Sequence, residues 1–290
     1  MKKVLKKGEF LGKDRFPVAV FRWAEHTSEE LHGHQFVELV VITRGSGRHI
    51  MAKEAWPVGA GDVFVISGNR QHGYQDVEGL SLINILYDQE RLAMSTQDLG
   101  TLPGYHALFK LEPAYRKRHR FESRLRLSTD QLVRVEALAD ALEDELRRME
   151  RGYRFMATSL FMQLVGYLAR CYGRSQEPAT EALLRVAEAV GYLEAHYREN
   201  VSLDTLARIA RMSKRNFQRV FREGSGRSPI ETLIHLRVTR AAELLRQGHL
   251  TITEVAFEVG FGDSNYFARQ FRKIMGMGPR SYRTSTSALH

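Results

Sequence analysis

His32, His34 and Glu38 stand at H-x-H-x3-E spacing in the segment HGHQFVEL, and a fourth polar group, His72, follows beyond the next apolar run. Imidazole nitrogens and carboxylate oxygens are the donors that zinc, manganese, iron and nickel accept. If residues 32–42 form one strand, its period of two puts His32, His34, Phe36 and Glu38 on one side. With His72 arriving from another strand, three imidazoles and a carboxylate could surround one ion. A metal there would imply an enzyme-like or metal-sensing barrel. The same groups can instead hydrogen-bond a bound small molecule, or one another. Arg44, Arg70 and Tyr74 would add to such a pocket, and Trp56 serves equally as an aromatic wall or as core. We adopt the small-molecule reading for His32, His34, Glu38, Arg44, His72 and Tyr74. No cofactor is expected, and the His32, His34, Glu38, His72 metal set is kept as the alternative.

A second group of residues carries a different chemistry. Lys214, Arg215, Gln218, Arg219 and Arg222 share one face of a helix whose other face holds Phe217, Val220 and Phe221. Arg215 and Arg219 are four apart, so both guanidinium groups project the same way. Further on, Asp263, Ser264, Asn265, Arg269 and Gln270 are left exposed if Tyr266, Phe267 and Phe271 pack inward. Arginine reads guanine bidentately in the major groove, asparagine pairs with adenine, and aspartate accepts from cytosine. These types at a helix start are what a base-reading helix presents.

The two groups belong to a repeat. Leu203 and Leu206-Ala207 fall on Ile252 and Val255-Ala256 at an offset of 49. Past the turn the offset is 50: Phe217, Arg219, Phe221, Arg222, Gly226 and Pro229 fall on Phe267, Arg269, Phe271, Arg272, Gly276 and Pro279. One residue is added in the second turn. Ser202 and Ser213 are placed to cap the two helices of the first unit. Between the units, 229–246 reads as a long helix burying Leu233, Leu236, Ala241, Leu244 and Leu245.

The elements that must position these groups divide the chain. Residues 16–87 read as short strands, with runs at 36–43, 63–67 and 80–86 separated by glycine-rich turns. Residues 88–128 fit no single element; the charged 115–126 stretch suits loop or helix. From Thr129, Leu132, Val135, Leu138, Leu142 and Leu146 step by three and four residues, an amphipathic helix capped by Ser128 or Thr129. A second runs from about 154 to 172. These helices pack on their own barrel alone or also make a dimer contact between chains. GRSQEPAT at 173–180 reads as a linker. We therefore expect a sensing domain over 1–128, a helical packing segment over 129–172, the linker, and a DNA-binding domain over 181–290.

Charge agrees with this division. Residues 181–290 carry 17 Lys and Arg against 11 Asp and Glu, while the rest carries 26 against 23 of the chain's total. Positive charge is densest where phosphates would be met. The single cysteine, Cys171, excludes an internal disulfide and sits in an apolar run as a small hydrophobe. No apolar run follows the basic N-terminus and none reaches the length of a membrane span, so a cytoplasmic setting is expected.

MSKRNFQRVFREGSGRSP, followed by LRVTRAAELLRQGHLTITEVAFEVGFGDSNYFARQFRKIMGMGPRSYR, resembles the arabinose-regulator (AraC/XylS) family of bacterial transcription factors over residues 185–283. Gly278 departs from the threonine usual before Pro279. The resemblance implies two recognition helices in successive major grooves, with Arg215, Gln218 and Arg219 reading bases in the first and Ser264, Asn265 and Arg269 in the second. The histidine segment, ending at Gly45, resembles the cupin barrel that such regulators use as a sensor. Its second motif, Gly61, Ser67, Asn69 and His72, has Ser67 and Asn69 in place of proline and glycine. Phe16-Pro17-Val18, GDVFVI and INILYDQERL are similar to regulators of rhamnose operons.

The expectation is thus an α+β chain: a cupin-like β-barrel sensor with two following helices, then an all-α domain with two helix-turn-helix units. It would be a cytoplasmic, dimeric, sugar-responsive regulator, with L-rhamnose the leading effector. Its partners would be double-stranded promoter DNA and RNA polymerase, with activation as the outcome. No membrane partner and no enzyme activity are expected. The competing reading is a metal-dependent cupin enzyme or metal sensor fused to a DNA-binding domain.

Overall fold

A computed structural model of the chain describes residues 3–11, 16–51, 54–67, 70–92, 98–115, 124–175 and 178–287. Asn69 of the second histidine motif and residues 116–123 of the charged stretch lie outside them. Two compact units divide at Ala187 and Glu188.

Among the described residues the first unit holds one eight-stranded sheet: β1 (Lys3–Leu5), β2 (Val18–Trp23), β3 (Glu29–His34), β4 (Val37–Met51), β5 (Glu54–Gly59), β6 (Asp62–Ile66), β7 (His72–Tyr87) and β8 (Leu125–Arg126). The spatial order is β1-β3-β7-β4-β6-β8, with β2 on β7 and β5 on β4. β1 runs parallel to β3 and every other pair is antiparallel. β4 and β7 are long enough to serve different neighbours along their length. Short helices α1 (Lys7–Phe10), α2 (Pro103–Tyr105) and α3 (Glu112–Tyr115) flank them, with a π-helix at His106–Leu111 between the last two.

The sheet is buried on both faces near its centre. Val40, Ile42, Trp56, Val58, Phe64, Ile66, Tyr74, Leu80 and Leu82 form one cluster, so the sheet curls around a common interior. Leu39, Val41, Val63, Val65, Ile83 and Ile85 point the other way and are equally buried. That double burial explains why the strands read as continuous apolar runs rather than alternating ones. Asp62, fully buried, accepts from Arg124 Nε at 3.1 Å, Arg126 Nε at 3.0 Å and the Gly59 N–H at 2.9 Å, which ties β8 to the edge of the sheet.

Helix α4 (Thr129–Arg148) begins at a capping box between Ser128 and Gln131, as its sequence signals. It packs against α5 (Tyr153–Gly173), where Cys171 is buried. Helix α6 (Pro178–Ala195) follows, so helical residues occupy both ends of the stretch read as a linker. Among the described residues no helix is long and apolar enough to cross a membrane.

The second unit consists of α7 (Leu203–Ile209), α8 (Lys214–Ser225), α9 (Pro229–Gln247), α10 (Ile252–Glu258), α11 (Ser264–Met275) and α12 (Pro279–Ser287), following the end of α6. The repeat is visible in the caps. Ser202, Ser213, Ser228 and Thr251 accept from backbone N–H groups three residues on, and Gly226 and Gly276 close α8 and α11 in the left-handed region. Leu233, Ala241 and Leu245 of α9 are buried as expected, whereas Leu236 and Leu244 are only half-buried.

Candidate functional site

In α8, Phe217, Val220 and Phe221 are buried, which leaves Lys214, Arg215, Gln218, Arg219 and Arg222 exposed. Arg219 is held in place: both Glu223 carboxylate oxygens accept from its Nη1, at 3.0 and 2.9 Å, and Asn216 Oδ1 accepts from Nη2 at 2.9 Å. Lys214 pairs with Asp204 of α7. Arg215 and Gln218 are exposed beside them.

In α11, Phe267 and Phe271 form the buried side. Asp263, Asn265 and Arg269 are exposed, and Ser264 and Gln270 are half-buried. Tyr266 corrects the sequence reading: it is 38% exposed, with the Arg269 guanidinium 5.7 Å from its ring centroid. A tyrosine can leave the core here because Phe261 and Phe267 already fill the space beneath it, with ring centroids 5.2 Å apart. Asp263 has a local partner as well. Its Oδ1 accepts the Tyr266 N–H at 2.6 Å, which makes it the N-cap of α11.

In the first unit the histidine segment is not one strand. Gln35 and Phe36 bend between β3 and β4. Phe36 turns into a cluster with Leu11 and Leu86, and its ring stacks on His34 with centroids 4.5 Å apart. The bend brings His34 back over Glu38: His34 Nε2 lies 3.1 Å from Glu38 Oε2, and His72 Nε2 lies 3.2 Å from the same oxygen. All three are buried. Burial by itself would raise the Glu38 pKa; the His34 and His72 rings set against it overcome that and hold the carboxyl well below the usual range. His72 is disfavoured as a cation by burial, yet Glu38 raises its pKa above the ordinary histidine value.

His32 does not complete a quartet. It lies directly opposite His72 across β3 and β7, with ring centroids 4.4 Å apart. Its Nδ1 faces the Glu30 carbonyl at 3.2 Å and Glu29 Oε1 at 3.3 Å. Burial and the neighbouring His72 lower its pKa. Among the described residues, the groups whose donor atoms converge within 4.8 Å of one another are His34, Glu38 and His72.

Tyr74 belongs to the buried interior, whereas Arg44 is exposed and does not line it. The register of β4 against β7 shifts between Ile42 and Arg44, again before Ser46 and again before Arg48. Each irregularity can move side chains to the opposite face. Val40 and Ile42 therefore face inward at even positions, but beyond the bulges the inward residue is His49. Its ring lies 5.6 Å from His72, 5.1 Å from Tyr74 and 4.9 Å from Phe64, centroid to centroid. Strict alternation hides His49; the glycine pair Gly45 and Gly47 was the available signal of a bulge. A separate crevice outside this interior is lined by Tyr87, Gln89, Tyr105, Lys110 and Phe161, around the π-helix.

Comparison with known proteins places both units. Residues 18–165 match the family described as AraC-like ligand binding domain, and residues 206–285 match a helix-turn-helix domain. The chain is 32% identical over 271 residues to the HTH-type transcriptional activator RhaR of Escherichia coli (strain K12), covering 93% of this chain and 89% of that protein. It is 30% identical over the same length and shares to the protein of that name from Enterobacter sp. (strain 638). Among solved structures, the DNA-binding domain of AdpA, a global transcriptional factor solved in complex with a target DNA, is similar at 35% identity. That match covers 37% of this chain and 96% of that one, with a TM-score of 0.35.

Proposed function

The chain belongs to the AraC family of transcription regulators, and on that premise we propose that it is a sugar-responsive activator acting as a homodimer in the cytoplasm. The family membership makes it a ligand-responsive, DNA-binding regulator and not an enzyme. Paired recognition helices carry the DNA half of the proposal: α8 and α11 present Lys214, Arg215, Gln218, Arg219 and Arg222, and Ser264, Asn265, Arg269 and Gln270, opposite buried aromatic faces. Asp263 acts there first as a cap, and any base contact it makes comes second to that role.

Residues 1–128 sense, 129–172 support dimerisation, 173–180 connect and 181–290 bind DNA in this reading. Exposed Val133, Met149, Phe155 and Met156 on and between α4 and α5 support a contact between copies, since Phe155 is 75% exposed. His32, His34, Glu38, His72 and Tyr74, with His49 added, form the sensor's polar interior. L-rhamnose is the first effector to test, on the similarity to regulators of rhamnose operons. Effector binding changes transcription only through its differential affinity for two arrangements of the regulator. RNA polymerase is the partner through which activation would act.

The experiment is binding of the purified full-length protein to its own upstream DNA at stated salt, with and without L-rhamnose and related sugars. A sugar-specific change in affinity or footprint is the expected result. DNA binding that ignores every sugar removes the effector assignment, and failure to bind DNA removes the whole reading.

A further inference from the structure

The Glu38 cluster has an imbalance that its hydrogen bonds do not relieve. His34 Nδ1 lies 2.7 Å from the Phe36 carbonyl oxygen, and His72 Nδ1 lies 3.2 Å from that of Arg70. A carbonyl oxygen can only accept, so both Nδ1 atoms carry the hydrogen. Each ring then turns its other nitrogen, Nε2, toward Glu38 Oε2. Two imidazole nitrogens and a carboxylate oxygen converge in a buried site where His34 and His72 are each 1% exposed. The His34 Nε2 and Glu38 Oε2 atoms are within hydrogen-bond distance but lack its direction. A buried carboxylate facing two imidazole nitrogens calls for a positive charge between them, carried by a proton or by a metal ion.

We propose that His34 Nε2, Glu38 Oε2 and His72 Nε2 bind one divalent transition-metal ion, of the class of zinc, cobalt or nickel. Donors at about 2.0–2.2 Å from a tetrahedral ion lie roughly 3.3–3.6 Å apart, close to the separations from Glu38. The Nδ1–H bonds to backbone carbonyls are the outer contacts that orient metal-binding imidazoles. The three ligands come from β3, β4 and β7, so the ion ties three strands together. His32 is not among the ligands because its ring nitrogens lie outside the converging set of His34, Glu38 and His72. Three protein donors leave a position for water. This inference does not depend on the identity of the effector or on the base-reading residues.

The test uses the full-length protein, stripped with a chelator, dialysed and titrated with cobalt(II) while its visible absorption is followed. Zinc content is measured after gel filtration. One ion per chain is expected, with a higher melting temperature when it is bound. Glu38→Gln and His72→Gln, checked for folding by circular dichroism, should bind more than about 100-fold more weakly, beyond the loss an outer contact causes. His32→Gln should still take up one ion. If the two ligand variants do not fold, the wild-type titration decides. Wild-type protein that takes up no stoichiometric cobalt overturns the site and leaves a proton-bridged cluster. Uptake that survives both Glu38→Gln and His72→Gln, or is lost in His32→Gln, overturns the ligand assignment. Operator binding measured on the stripped samples reports separately on the regulator reading.

Discussion

Glu223 grips the guanidinium of Arg219 with both carboxylate oxygens, at 3.0 and 2.9 Å, one turn further along the same recognition helix. To contact a base edge, Arg219 must exchange that partner for a guanine. Arg219→Ala should weaken specific binding by about 1–3 kcal/mol and relax preference at one base pair. Glu223→Gln should strengthen binding to all DNA by about twofold, the scale of an exposed helix ion pair. Fluorescence anisotropy on operator and random duplexes at fixed salt reads both. Equal losses on the two duplexes for Arg219→Ala would make it a phosphate contact.

The cap at Asp263 makes a different prediction from a base contact. Asp263→Ala should destabilise the second unit by about 1 kcal/mol, while Asp263→Ser keeps the cap and most of the stability. Urea denaturation of the full chain measures this. A stable Asp263→Ala protein with altered preference at one base pair would instead assign the residue to readout.

Gly260 approaches the backbone after α6 too closely for a side chain. A Cβ there would stand 2.6 Å from the Arg198 carbonyl oxygen, and φ is +90°. Gly260→Ala should therefore cost about 2–4 kcal/mol, combining a left-handed backbone with a backbone clash. Gly276→Ala, at φ +77° in open space, should cost only about 1–2 kcal/mol. Comparing the two melting curves separates the clash from the dihedral. Equal costs would show that the contact with Arg198 yields.

Acid should loosen the second unit through its capping boxes. Glu231 accepts the Ser228 N–H at 2.8 Å and Glu254 accepts the Thr251 N–H at 2.7 Å, and these bonds hold both carboxyls below their ordinary range. A lowered folded-state pKa gives stability that is present above the unfolded value and lost as pH falls through the folded one. The decline should begin below about pH 4.3. Glu231→Gln with Glu254→Gln keeps an acceptor at each cap and should flatten that part of the curve. An unchanged acid slope in the double variant would place its origin elsewhere.

The sequence alone determined the two helix-turn-helix units, because everything that specifies them is local. Caps such as Ser202 and Ser213, closing glycines such as Gly226 and Gly276, and aromatic residues four apart fix helices without reference to distant chain. A repeat keeps those signals in step. It also brought out His34, Glu38 and His72, whose residue types and spacing are visible in one dimension.

Tertiary structure decided how those groups meet. The bend at Gln35 and Phe36 depends on Phe36 finding Leu11 and Leu86, which are remote in sequence, and it separates His32 from the converging triad. The irregular register of β4 against β7 puts His49 inside and Arg44 outside, and alternation counted along one strand cannot see it. Tyr266 is exposed because neighbouring phenylalanines occupy the core first. In the first two cases the deciding energy is burial or pairing against a distant partner, and that term exists only once the chain has folded.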